Sequence, residues 1–393
     1  MIFAYSYLIN YRYTWYYRYN TNEEDLHIEM NQQFRHAEIY WNQLIRKQEL
    51  NSNYNFTSDI CTILITSPRN QHPTLHYTLS SLVSSMTHEN KLKTKIFIYN
   101  SAIPPSLHKY AEQLSQAKLT FLEIINSSSI HFDFVHRNVK FNSQSDQWAF
   151  NEALDYLIAL SICEKQNSSN ILILQDDLIF TKNFFEKLRT TISNNDQHCS
   201  LIKLFQTDYW DGWERKDGPR LILFSLFISL LINLIFLLTD YKISLRFIRL
   251  NTNFFVTFLL FSFLWFLFIL IILLSVNHQN LQFIYPSKHE IYIMQSSTAG
   301  ALAQIYSSNV VKPLKLFLLK QINSNQSIPI DIQLNQFFEE YRSSFLQCHA
   351  TPDLVDHIGV YSSNTNKNQG NFLVMKKSGT FENDQASLPL TFE

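Results

Sequence analysis

Two apolar runs constrain this chain more than anything else in it. Residues 221–239 read LILFSLFISLLINLIFLLT and residues 254–276 read FFVTFLLFSFLWFLFILIILLSV. Neither contains a charged side chain, and Asn233 is the only amide in either. A helix rises about 1.5 Å per residue, so each run is long enough to cross a hydrocarbon layer about 30 Å thick. A core helix of a soluble domain usually keeps a polar face, and two uncharged runs in succession favour spanning over burial. The sequence therefore predicts a transmembrane hairpin.

The linker between the runs, residues 240–253, carries Lys242, Arg246 and Arg249 against Asp240. Short basic loops stay cytosolic, which puts both flanks, 1–220 and 277–393, on the lumenal side. Sequons at Asn55, Asn126, Asn167 and Asn325 fall in both flanks and spare the basic loop, as a glycoprotein of that topology requires. Residues 1–59 begin with an aromatic stretch interrupted by Arg12 and Arg18. That is neither a signal-peptide apolar region nor a full span; it is read as a stem, or as an anchor truncated at its start.

Outside the hairpin the chain alternates between strand and helix signals. ICTILIT (60–66) is a continuous apolar, β-branched run, the pattern of a buried parallel strand. Leu75, Leu79, Leu82, Val83 and Met86 then share one helical face. Further strands are expected at 95–100, 119–125, around 170–175, at 200–206 and at 290–295. Helices are expected over 147–163, from about Asn183, over Thr298–Val311 and Pro313–Ile322, and from about Asp331. Such alternation predicts an α/β fold with a mostly parallel sheet covered on both faces. The 117 residues after the hairpin hold too few strands for a sheet of their own, so 60–220 and 277–393 are read as two parts of one domain.

Several chemistries are absent. Six glycines include no GxGxxG and no GxxxxGK[ST], so neither a dinucleotide fingerprint nor a P-loop is present. A net charge of −1 supplies no basic surface for nucleic acid. Cys61, Cys163, Cys199 and Cys348 form no CxxC. Their even number permits disulfides without giving the pairing, and Cys61, inside an apolar run, reads as a small buried hydrophobe.

One strand ends on charge. NILILQDDLIF (170–180) breaks its apolar run at Gln175-Asp176-Asp177. In open α/β sheets ligands bind beyond the carboxyl ends of the strands. Carboxylates there suit Mg²⁺ or Mn²⁺, with substrate phosphates completing the coordination. The alternative is an acidic turn whose side chains cap nearby backbone.

Four segments decide between these in their order: SDQWAFNEALDYLIALSICEKQNSSNILILQDDLIF, SLIKLFQTDYWDGW, STAGALAQIYS and DLVDHIGVYSS. Together with the hairpin, over about Ile60 to Phe372, they resemble the post-GPI-attachment N-acetylgalactosamine (GalNAc) transferase family. That family's Golgi enzymes add GalNAc to GPI anchors, through a GT-A glycosyltransferase domain split by a two-helix membrane hairpin. The type IV N-glycan branching GlcNAc-transferases are more distant relatives. QDD is similar to the family's E-D-D form of the DXD motif, with Gln175 where the family usually has Glu. DHIGVYSS is similar to its HIG-x-x-SS signature.

The resemblance implies roles for individual residues. Asp177 and His357 would hold a divalent cation. Ser67, Arg69, Gln147, Asp155, Gln175 and Asp176 would contact the UDP-sugar. Inversion needs a carboxylate to take the acceptor proton, and Asp331 is the choice, with Asp353 and Asp356 as competitors. Trp210 and Trp213 would stack on the acceptor sugar or anchor the membrane interface. The expected activity is transfer of GalNAc from UDP-GalNAc to the mannose of a GPI-anchored protein in the Golgi membrane. The alternatives are N-glycan branching by a GlcNAc-transferase, or an inactive lipid-facing scaffold. A transporter is disfavoured, because two spans offer neither repeats nor intramembrane charge.

Overall fold

The computed structural model describes residues 32, 34–43, 59–68, 74–117, 119–129, 141, 143–195, 198–205, 218–239, 254–275, 291–295, 300–324 and 328–358. Its strands are β1 (Ile60–Thr66), β2 (Ile96–Asn100), β3 (Leu122–Asn126), β4 (Asn170–Gln175), β5 (Leu178–Phe180), β6 (Leu201–Lys203), β7 (Tyr292–Gln295), β8 (Ala303–Ser307), β9 (Gln347–Thr351) and β10 (Val355–His357). Its helices are α1 (34–43), α2 (Thr74–Ser84), α3 (His88–Lys93), α4 (Lys109–Ala117), α5 (Gln144–Glu164), α6 (Phe184–Ser193), α7 (Gly218–Thr239), α8 (Phe254–Ser275), α9 (Ser308–Asn323) and α10 (Ile330–Glu340).

Eight strands form one sheet in the order β3-β2-β1-β4-β8-β6-β9-β7. β1 pairs in parallel with β2 and β4, β2 with β3, and β6 with β9. Only β8 and β7 run against the rest, so the sheet is mostly parallel, as the alternation predicted. The hydrophobic pattern explains its position. β1 is buried at every residue but Ile65, which a strand covered on both faces demands. Ile60 and Leu64 pack with residues of α2, α4 and α6, whereas Cys61 and Ile63 pack with residues of α5, α9 and α10. Strands from after the hairpin complete the sheet, because Ala303–Ser307 inserts between β4 and β6. These segments belong to one compact unit, Thr21–Asp208 with Ser287–Glu393.

Two expectations need correction. The helix read over Thr298–Val311 is a strand over 303–307, and α9 then runs through Pro313 without a break. Alternation is the reason. Ala303 and Ile305 face one core while Tyr306 faces the other, with Gln304 beside it, and all four are buried. Tyr156 and Tyr306 share a hydrogen bond of 2.7 Å, and Tyr156 donates to Gln304 Oε1 at 2.6 Å. That pairing satisfies polar groups an isolated strand could not bury. Pro313 forfeits one helical hydrogen bond, which burial of Val310, Val311, Leu314, Phe317 and Leu318 outweighs. Secondly, Cys61 is not a lone buried thiol: it is bonded to Cys163 of α5, and Cys199 is bonded to Cys348.

The hairpin residues lie in a second compact unit, which includes 209–286. Within it α7 and α8 pack together through Leu221, Ile269 and Leu273. Ser229 Oγ donates to Ser262 O at 2.5 Å, and Asn233 Nδ2 donates to Ser229 O and Ser262 Oγ, each at 2.9 Å. Large apolar side chains such as Phe227, Leu230, Phe263, Phe268 and Ile271 are exposed. Among the described residues no helix is long and apolar enough to cross a membrane. The membrane hairpin expected from the sequence is therefore not found among the described residues, although both runs form helices of 22 residues.

Candidate active site

β4 carries four buried apolar residues and ends at the half-buried Gln175. The chain then bends through Asp176 and Asp177 and restarts as β5, which pairs antiparallel with β10. Hydroxyls of α2 fix that restart. Thr78 Oγ1 accepts from Leu178 N and Ser81 Oγ accepts from Phe180 N, both at 2.9 Å. The strand register places Leu178 opposite His357, which brings two parts of the chain 180 positions apart into contact. His357 Nε2 lies 2.8 Å from Asp177 Oδ2. Both residues are buried, at 6% and 4% exposure. Ile358 N donates to Asp177 O, and His357 N donates to Asp356 Oδ1, each at 2.9 Å. Among the described residues nothing hydrogen-bonds His357 Nδ1.

Asp176 turns toward β1. Its Oδ2 accepts from Thr66 Oγ1 at 2.6 Å and from Ser67 N at 3.4 Å. Thr66 Oγ1 is also 2.6 Å from Nε2 of His108, which sits just before α4. Ser67, expected at the donor, is thus joined directly to the acidic tip. Gln175 donates its backbone N–H to Leu302 O at 2.9 Å, and its side chain is half-buried at the same edge.

A second polar group occupies the α5 side of the sheet. Lys203 ends β6 and is 1% exposed. Burial pushes its ammonium down to about 7, against the pull of Asp331. Glu152 on α5 accepts from Ile330 N at 3.3 Å. Burial is the main cause holding Glu152 up at about 7; that hydrogen bond opposes it and Asp331 adds to it. Asp155, one turn along, is pushed up to about 8 by burial, opposed by hydrogen bonds to Tyr99 and Ser101. Asp331 opens α10 and accepts from Ile332 N at 2.8 Å.

The structure therefore brings Asp177 and His357 together and joins Asp176 to Ser67. It places Asp331 and Asp155 in the group around Glu152 and Lys203. Gln147 is exposed on the first turn of α5. Arg69, Trp210 and Trp213 lie outside the described residues. Sequence reading missed Thr66, His108, Glu152 and Lys203. Lys203 had a signal, a lone cation inside SLIKLFQ; His108 had none.

Among the described residues no group of three or more His, Cys, Asp or Glu is arranged to hold a metal ion. Asp177 and His357 form a pair. A carboxylate oxygen with an imidazole nitrogen fits a Mn²⁺-like ion when diphosphate oxygens and water fill the remaining positions.

A mostly parallel sheet with helices on both faces and a carboxylate pair at the tip of a central strand define an α/β protein with a ligand site beyond the carboxyl ends of its strands. Residues 60–356 match the family model of the GPI-N-acetylgalactosamine transferase PGAP4, and the chain belongs to that family. The match agrees with the resemblance read from the sequence. Among solved structures, the chain is similar to a mannosyltransferase from Pyrobaculum calidifontis in complex with GDP-Man and Mn²⁺. The identity is 13%, the TM-score 0.22, and the alignment covers 46% of each chain. No curated protein matches the chain.

Proposed function

We propose that this protein transfers GalNAc from UDP-GalNAc, with inversion, to a mannose of the GPI glycan on the lumenal side of the Golgi membrane. The observation that carries the reading is the Asp177–His357 pair, held at 2.8 Å across 180 positions at the carboxyl edge of the sheet. Asp177 and His357 would hold a divalent cation, and Asp176, Gln175, Ser67, Arg69, Gln147 and Asp155 would orient the nucleotide-sugar. The cation's contribution is to offset charge on the departing UDP. Asp331 takes the proton of the acceptor hydroxyl. Its placement beside Lys203 supports this, because β6 and β4 point the same way and end at one sheet edge.

The membrane hairpin belongs to the same proposal. In the full sequence the uncharged runs 221–239 and 254–276 are each long enough, at about 1.5 Å per residue, for a hydrocarbon layer about 30 Å thick. Exposed Phe and Leu side chains around both helices match a lipid surrounding. A GPI substrate is confined to the bilayer, so a domain tethered there meets it at high effective concentration. Trp210 and Trp213, just before α7, would anchor the interface or stack on the acceptor. Two buried disulfides fit an oxidising lumen.

The test is transfer of labelled GalNAc from UDP-GalNAc to a GPI acceptor by the full-length protein with Mn²⁺. Activity that Asp177→Ala abolishes supports the reading; no turnover by the intact protein, or transfer unaffected by Asp177→Ala, refutes it.

A further inference from the structure

We propose that His108 is a positioning residue for the donor-binding carboxylate, acting on Asp176 through the hydroxyl of Thr66. This rests on the reading of the Asp176–Asp177 tip as the donor site.

Three elements meet at this relay. Thr66 ends β1, Asp176 follows β4, and His108 precedes α4, where its carbonyl accepts from Glu112 N at 3.0 Å. All three side chains are buried, at 1%, 1% and 4% exposure. The two short links are each 2.6 Å. Proton counting fixes the direction. A threonine hydroxyl has one hydrogen, and a carboxylate accepts only, so that hydrogen points at Asp176 Oδ2. Thr66 Oγ1 must then accept from His108, which places a proton on Nε2. Turning the imidazole away would give up the bond that Thr66 Oγ1 accepts.

Its consequence is geometric. Asp176 Oδ2 also receives Ser67 N–H at 3.4 Å, so one oxygen gathers the end of β1 and the bend after β4. β1 itself is fixed at this point, since Ser101 N donates to Thr66 O at 3.0 Å. The bend that aims Asp177 therefore takes its orientation partly from an imidazole 69 positions upstream. Partners behind a ligating group commonly alter affinity about 10–100-fold.

The experiment measures Mn²⁺-dependent UDP binding by calorimetry, with KM and kcat for UDP-GalNAc, on the full-length protein. Thr66→Val and His108→Leu break the relay; Thr66→Ser and His108→Gln keep a hydroxyl and an N–H donor. Expected are a 10–100-fold rise in Kd and donor KM for the first pair, with kcat within about threefold of the parent, and recovery for the second. Should His108→Leu fail to fold, the isosteric Thr66→Val reads the same link. Asp177→Ala separates the two ideas: if it leaves Mn²⁺-dependent UDP binding intact, the donor-site reading falls and the relay with it. If Asp177→Ala abolishes binding while Thr66→Val binds like the parent, or His108→Gln does no better than His108→Leu, only the relay is overturned.

Discussion

Lys203→Met should stabilise the catalytic unit, and by an amount that depends on pH. Lys203 is 1% exposed, in a strand flanked by buried Ile202 and Leu204. Its pKa falls from 10.5 to about 7 because burial disfavours the ammonium. At 1.36 kcal/mol per pH unit that fall corresponds to about 5 kcal/mol, the ceiling on what the charge costs the fold. The sign follows from proton counts. Below about pH 7 both folded and unfolded chains carry the proton, and the whole penalty is present. Between about 7 and 10.5 the unfolded chain keeps the proton that the folded one has lost, so wild-type stability rises with pH. Methionine copies the length of the stem and never ionises. It removes the penalty, while the half-exposed Asp331 that pulls against it is left to water. The expected gain near pH 7 lies below that ceiling, and it shrinks by about 2 kcal/mol near pH 8.5. Urea unfolding of the full-length protein at both pH values measures it. Destabilisation at both, or a difference that does not move with pH, would refute the assignment of Lys203 as a cation held against its burial.

Two other perturbations test the frame around the site. Replacing Cys61 and Cys163, or Cys199 and Cys348, by alanine should lower stability by about 2–5 kcal/mol each, since they close loops of 102 and 149 residues; thiol labelling of the native protein that finds free cysteines would contradict the pairing. Asn233→Leu should loosen the α7–α8 contact by about 0.6–1.7 kcal/mol in a bilayer, seen as a broadened spin-label distance between the helices, and an unchanged distribution would show that the polar seam contributes nothing.

How far the chain could be read from its letters depended on whether the information was local. The strand 60–66 was legible because burial on both faces makes it continuously apolar, and the helix from 331 because burial of one face gives it a period; in the structure these segments are buried in those patterns. The strand at 303–307 was not, because AQIYS offers a helix and a strand similar apolar content. What decides it is the slot between β4 and β6, filled from residues on the far side of the hairpin. The disulfides belong to the same category: even parity was visible, but only the packing of α5 on β1 selects Cys163 for Cys61. For the polar residues the limit is sharper. Asp177 was visible as charge ending an apolar run, since desolvation makes such a residue conspicuous. His357 was visible only through a resemblance, and His108 not at all, because LHKY reads as an ordinary helix start. The contacts that define the tip join residues 42, 110 and 180 positions apart. No period connects such positions; the strand order does. A buried hydrogen-bonded relay is therefore a property of topology, and Thr66→Val, which alters one hydroxyl and leaves every apolar pattern in place, acts on that property alone.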